Sequence, residues 1–427
     1  MEDTPVLSQH PYAPLRVGNF RWLLLSQFAI ALATQIQGVV VAWQIYSITK
    51  DPLSLGLIGL AEALPFIVVA LFAGHAADTK SRKWIALWSL ATLLACALAL
   101  FLLSLASNLA GLEWAIYGVI VLSGIARSFL VPARMALSAE VVPRELYPSS
   151  VTWRTGTWQV AAVSGPALGS GLYTFGKEQL AYGVTVALAF AALLLQAAVR
   201  PAARRKGAAR VSIWKSLGEG ITFLFQQKVV LSAISLDLFA VLFGGAVALL
   251  PIYASEILKV GPEGLGLLRA APAAGAVLMS VILTHRGPFE RAGVALLLNV
   301  ALFGVCTIGF GVSTSFPLSL AFLALSGAVD YVSVVIRHTL VQVMTPEHML
   351  GRISSVNAIF IGSSNEIGAF ESGVAAKLLG TVPSVVVGGV ITLAVVAVTA
   401  WRVPELRTLR RIGAASSNVT SEKGARF

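Results

Sequence analysis

Seven ionisable residues stand inside long apolar runs of this chain: Glu62, Arg127, Asp237, Arg269, Asp330, Glu366 and Glu371. A charge at the centre of a membrane helix costs about 2.5–3.5 kcal/mol, so it is retained for pairing, for binding or for carrying a proton. Glu62, Asp237, Glu366 and Glu371 are candidate proton carriers, Arg127 is a candidate ligand for an anionic or polar group, and Asp330 is a candidate to balance or compete for it. Arg269 falls near one end of its run, where a long side chain can snorkel. The first run adds Gln35, Gln37 and Gln44 beside Trp43. Gln37 and Gln44 are seven apart and share a helix face. An amide left in lipid is unsatisfied, so that face turns inward, to contact a substrate or to bond another helix. Phe239, Phe243 and Tyr331 line an apolar pocket or simply pack.

These residues need helices to hold them. The chain has 427 residues, of which 57% are hydrophobic and only 12% charged. Soluble domains carry about 25% charged residues. With a mean hydropathy of +0.82, this is a membrane protein. A hydrocarbon core needs roughly 20 apolar residues per helix. Such runs fall at about 22–47, 54–76, 84–107, 114–136, 150–174, 180–199, 229–255, 264–284, 292–312, 317–340, 353–377 and 383–402. Twelve spans make an all-α membrane protein.

The net charge of +11 is distributed by loop, which argues for topology and against nucleic acid. Arg16 and Arg21, Lys80 with Arg82 and Lys83, Arg144, the stretch from Arg200 to Lys215, Arg286 and Arg291, Arg352, and the stretch from Arg402 to Arg411 occupy one set of loops. The alternate set holds little beyond Lys50, Lys177, Lys259 and Lys377. The positive-inside rule makes the first set cytoplasmic, with both termini inside. The expected layout is a cytoplasmic N-terminus at 1–21, a six-helix bundle at 22–199, a linker at 200–228, a second bundle at 229–403 and a cytoplasmic tail at 404–427. Ser212 to Phe225 in the linker reads as an amphipathic helix on the membrane surface. Cys96 and Cys306 lie in apolar runs, so neither a disulfide framework nor a metal site is expected.

The halves repeat. A shift of 203 places Leu122-Ser123-Gly124 on Leu325-Ser326-Gly327, Arg134 on Arg337 and Pro143 on Pro346. The same shift makes Arg127 and Asp330 repeat mates, each just past the middle of its span at about 1.5 Å per residue.

The stretch from Gly74 to Lys83 reads as a short charged loop between the second and third spans. Glycine lets helix ends approach, Asp78 suits a helix N-terminus, and Arg82 and Lys83 suit a cytoplasmic surface. Its Gly74, Asp78, Arg82-Lys83 spacing resembles the loop between the second and third helices of the major facilitator superfamily. The segment from Ser128 to Arg134, the segment from Glu140 to Glu145, and Ser364-Asn365-Glu366-Ile367-Gly368 resemble the enterobactin-exporter and macrolide-efflux group. Gly165-Pro166-Ala167-Leu168-Gly169 is similar to the glycine-proline signature of antiporters, where it permits close packing and a bend. The mirror of the opening loop, His285 to Arg291, lacks the Gly-to-Asp spacing.

The resemblance implies two six-helix bundles that rock about a midplane site, lined by the first, fourth, seventh and tenth helices. Arg127 would then bind substrate and Asp330 would balance it, the alternative being a fixed ion pair. Gln37, Gln44 and Asn365 join them as substrate-binding candidates. The second and eleventh helices would meet between the halves, bringing Glu62 near Glu371 as a protonation site, unless each meets water or backbone separately. Asp237 and Glu366 are rival proton carriers. Gly74, Asp78, Arg82 and Lys83 form a gate loop, mechanical rather than catalytic. The implied function is secondary active transport, with proton-coupled export of a drug-like or siderophore-like molecule. A nutrient or ion carrier of the same fold, and a non-transporting sensor or enzyme, are the alternatives. No cofactor is expected, the proton gradient being the driving force. The expected partners are a small-molecule substrate and the bilayer of the inner (plasma) membrane, around a monomer. Gly171 to Lys177 matches the start of a phosphate-binding loop, but Glu178 replaces the required Ser or Thr and no strand precedes it. No enzyme nucleophile turn is present.

Overall fold

The computed structural model describes residues 12–106, 111–200, 213–285 and 289–409. Arg204 to Lys206, Arg286 and the tail after 409 lie outside the described residues. The chain is helical, as lipid demands of a backbone that must satisfy its own hydrogen bonds. The long helices are α1 Gly18–Thr49, α2 Pro52–Thr79, α3 Arg82–Leu105, α4 Leu112–Val141 and α5 Tyr147–Ala198. After α6 Ile213–Gln226 come α7 Lys228–Phe243, the single turn α8 Leu250–Ile252, α9 Gly261–Thr284 and α10 Ala292–Val312. α11 Phe316–Met344, α12 Glu347–Leu379, α13 Thr381–Arg402 and the short α14 Pro404–Thr408 complete the chain. Ten helical stretches among the described residues are long and apolar enough to cross a membrane. α5 is broken at Gly176 and Lys177, where the backbone leaves helical angles, so it comprises two helices.

The chain divides into two compact units. The first contains residues 1–50, 60–209 and 260–270, and the second contains 51–59, 210–259 and 271–427. In the first unit, Ala33, Leu90, Leu130 and Ala192 join α1, α3, α4 and α5 in one core. α1 lies along α5 at very short range. A Cβ on Gly165 would stand 2.4 Å from that of Gln35, and one on Gly169 would stand 2.7 Å from Val39 Cγ1. The close packing expected of the glycine-proline segment is present. In the second unit, Leu236, Leu296, Val300, Ile336 and Leu340 join α7, α10 and α11. α6 is amphipathic: Leu224 is buried against Val230, Ile234 and Ile353, while Ile221 and Phe225 are exposed.

Two expectations need correction. The stretch from Gly74 to Thr79 is not a loop; it continues α2, and only Lys80 and Ser81 separate α2 from α3. Ala73, Ala76 and Ala77 are strong helix formers and carry the helix past its apolar run. A Cβ on Gly74 would meet nothing within 4 Å among the described residues. The seventh run is not one helix either. α7 ends at Phe243, and Gly244 and Gly245 lead into a 3₁₀ turn at Ala246–Leu249 and a π turn at Tyr253–Ile257. Adjacent glycines are poor helix formers. Gly368 of α12 also presses on the Val241 and Leu242 carbonyls, which a Cβ at 368 would meet at 2.9 Å.

Candidate functional site

The second unit holds a compact charged cluster. Asp237, mid-α7, makes an ion pair with Arg337 of α11, and both side chains are buried. Asp330 lies two turns earlier on α11, so it projects from the same face as Arg337. Asp237, Asp330, Asn299 of α10, Ser333 and Phe303 line an enclosed cavity of about 10 Å³. That is close to the least space that holds one water. One guanidinium is thus paired with one carboxylate, and a second carboxylate lines the cavity beside them. With both ionised the cluster carries a net negative charge in a low-dielectric interior. Binding one proton makes it neutral. Asp237 contacts Arg337 directly, whereas Asp330 faces the cavity without pairing to it.

The first unit pairs its charges differently. Arg127 of α4 contacts Glu62 of α2 at 2.8 Å, and both side chains are about one-third exposed. Pro65, one turn beyond Glu62, is packed against Gly124 of α4, which draws the two helices together at this level. The arrangement presents a paired but reachable guanidinium and carboxylate at mid-span. Gln44 is buried, and its Oε1 accepts a hydrogen bond from the buried Tyr182 hydroxyl at 2.6 Å. Gln44 therefore makes an interhelical bond from α1 to the second part of α5. Gln37 is half-buried on α1. Arg269, in the first unit, donates to the Gly38 carbonyl of α1 at 3.2 Å.

Around the α2–α3 junction, Arg82 binds Glu140 of α4 at 2.8 Å and donates to the Ala77 and Ala136 carbonyls. Lys83 donates to the Ala197 carbonyl at 2.8 Å. These contacts tie the start of α3 to the ends of α4 and α5. The Asp78 side chain lies outside the described residues. In the second unit, Asn365 is exposed, while Glu366 and Glu371 are half-buried on α12. The segment from Gly171 to Phe175 is helical, as expected if its phosphate-loop likeness is accidental.

Asp51, between α1 and α2, meets Lys377 of α12 at 2.8 Å within the second unit. The hydrogen bond from Lys377 holds the Asp51 carboxyl below the ordinary carboxylate range, against the opposing effect of burial. A depressed folded pKa stabilises above the unfolded value of about 3.9, and this stabilisation is lost as pH falls through the folded value. Both side chains are well exposed, so solvent screens the pair. Lys377→Gln should cost less than about 1 kcal/mol at neutral pH. Its melting curve should merge with the parent's in acid, and a gap that persists there would contradict this assignment.

Sequence reasoning nominated Asp237 as a proton carrier and Asp330 as a substrate contact but passed over Arg337, the partner of Asp237. The signal was present: Arg337 is the repeat mate of Arg134, and both sit near the end of their apolar runs. Tyr182, the partner of Gln44, and the Asp51–Lys377 pair carried no local signal.

The chain matches the family described as transmembrane secretion effector over residues 9–423. It is 28% identical over 339 residues to the enterobactin exporter EntS of Shigella dysenteriae serotype 1 (strain Sd197), covering 79% of this chain and 80% of the relative. The EntS of Escherichia coli O139:H28 (strain E24377A / ETEC) is equally similar over the same shares. Among solved structures, a bacterial homolog of the human lysosomal transporter Spinster, inward-facing and unoccupied, superposes with a TM-score of 0.70. It shares 14% identity and covers 91% of this chain and 98% of its own. The nucleoside transporter NupG gives 0.64 at 13% identity, covering 90% and 98%. At such identity these two structures speak to the fold alone.

Proposed function

Because the chain belongs to the transmembrane secretion effector family of the major facilitator superfamily, and is a multi-pass membrane transporter, we propose that it works by alternating access and exports a small molecule in exchange for protons. The observation that carries the proton half is the Asp237–Arg337 ion pair with a second acid, Asp330, lining a cavity of water size beside it. Protonation of Asp330 neutralises the cluster, and loss of the proton restores a charge that the second unit bears badly in lipid. This is a difference in free energy between protonation states on which a conformational equilibrium can draw. The relatives' name, enterobactin exporter, supports the outward direction and a siderophore-like or drug-like cargo.

The membrane arrangement is twelve spans in two six-helix bundles. The ten candidate stretches include α5, which counts twice, and α12 is 33 residues long and adds the twelfth. Both termini lie in the cytoplasm of a bacterial-type inner membrane, and the transporter acts as a monomer without a cofactor. The Glu62–Arg127 pair receives a polar or anionic part of the cargo, with Gln37 as a further contact in the first unit; Asn365 is a separate substrate-binding candidate in the second unit. Glu366 and Glu371 are secondary candidates for coupling. Arg82, Lys83 and Glu140 hold the inner ends of α3, α4 and α5 as a mechanical unit.

The test is transport in liposomes containing the purified chain. An imposed pH gradient should drive accumulation of a labelled cargo against its own gradient, and collapsing it with a protonophore should abolish that. Arg127→Lys should keep coupling but alter preference among anionic cargoes. Cargo equilibration indifferent to the pH gradient would reassign the protein as a uniporter.

A further inference from the structure

The repeat places a buried arginine in each half, Arg134 in α4 and Arg337 in α11. Arg337 has Asp237. Arg134 has no carboxylate among the described residues. One of its terminal nitrogens donates to the Ser26 hydroxyl at 2.7 Å, and its Nε, fully enclosed, has no hydrogen-bond partner. Ser26 is itself neutral and donates to the Ala192 carbonyl. A second guanidinium stands beside it: Arg154 of α5, half-buried, donates to Ser138 at 2.8 Å and to Gln27 Oε1 at 3.1 Å, again neutral partners. The buried Gln196 amide nitrogen is another donor left without an acceptor.

Two adjacent cations with only neutral ligands are an incomplete arrangement in a protein interior. An unpaired buried charge is strongly destabilising unless something balances it. At the repeat-related position that balance is an acid from the same chain. Here the surrounding atoms are donors in excess, and what they lack is an oxyanion. Guanidinium groups recognise carboxylate and phosphate by paired, charge-assisted hydrogen bonds. The cluster lies about two turns, roughly 12 Å, from the shared end of α1, α4 and α5. Arg154 is its more exposed member, and the exposed Val131, Met135 and Trp158 lie within a turn of the two arginines on their helices. We propose that Arg134 and Arg154 form an anion-binding site in the first unit that takes one carboxylate or phosphate group attached to an apolar body. Arg134 lies two turns along α4 from Arg127, and the proposed site does not depend on the direction or coupling of transport.

The experiment uses the purified full chain and three proteins: the parent, Arg154→Gln, and Ser26→Asp. The last supplies in the chain the acid that Asp237 supplies to Arg337. The probes are benzoate and inorganic phosphate in solution, and nanodiscs of phosphatidylglycerol against phosphatidylcholine. The parent should gain melting temperature saturably, by roughly 5 °C near a hundredfold excess over Kd. Ser26→Asp should melt higher than the parent without anion and gain nothing more from it. Arg154→Gln should need at least about tenfold more anion, as for loss of one charge-assisted bond. A response to benzoate or phosphate assigns a soluble anion. A response to phosphatidylglycerol alone assigns a lipid headgroup. Absence of any anion response in the parent, or an equal response in all three proteins, overturns the proposal.

Discussion

Asp237→Ala should destabilise the protein by about 3–5 kcal/mol. The reason is not the loss of an attraction but the cation left behind. Arg337 is among the most buried side chains of the molecule, and its Nε already lacks a partner. Asp330 faces the same cavity, so it compensates part of the loss. The effect should therefore sit at the lower end of that range for Asp237→Ala, and deepen when Asp330→Asn is added. Removing both members of the pair, as Asp237→Leu with Arg337→Met, should recover most of the stability, because an apolar pair leaves no charge to solvate. Chemical denaturation in mild detergent of the parent, the single variants and the double variant closes the cycle. A single variant within about 1 kcal/mol of the parent would mean that the pair is solvated like a surface bridge.

Asp330→Asn should have the largest effect on function. Asparagine keeps the size and the hydrogen-bonding capacity of the protonated acid but cannot release a proton. The expected phenotype is separable: cargo still exchanges down its own gradient, while accumulation driven by a pH gradient falls to the level of protein-free liposomes. Asp330 is only partly enclosed, and it is not the direct partner of Arg337, so its stability cost should stay below about 1.5 kcal/mol, that of one hydrogen bond. Gradient-driven accumulation equal to the parent's would move the proton to Asp237, Glu366 or Glu371.

The helices were legible because lipid imposes one rule on every span: about 20 apolar residues, closed internally. Hydropathy marks the apolar part of a helix, not its end. α4 therefore runs on to Val141 and α11 to Met344, several residues past their apolar runs. The Gly74 stretch misled for the same reason, since charge signals water rather than a loop. The break after Phe243 was hidden because Gly244 and Gly245 are as apolar as a helix interior, and the contact that enforces it comes from α12, more than a hundred residues away. The candidate residues were visible as charges out of place, but their partners were not. Glu62 with Arg127 and Asp237 with Arg337 are pairings between helices, and spacing along one chain does not encode them. The repeat came nearest, since it matched Arg134 to Arg337; what it could not supply was that, among the described residues, only Arg337 is paired with an acid.

The most direct measurement is proton movement itself. Parent and Asp330→Asn proteins, reconstituted in liposomes loaded with a pH-sensitive dye, are given cargo on one side with no imposed gradient. The account predicts a cargo-dependent pH change opposite in direction to the cargo in the parent, and none above background in Asp330→Asn despite measurable cargo exchange. Cargo movement without any pH change in the parent, or an undiminished pH change in the variant, would contradict it.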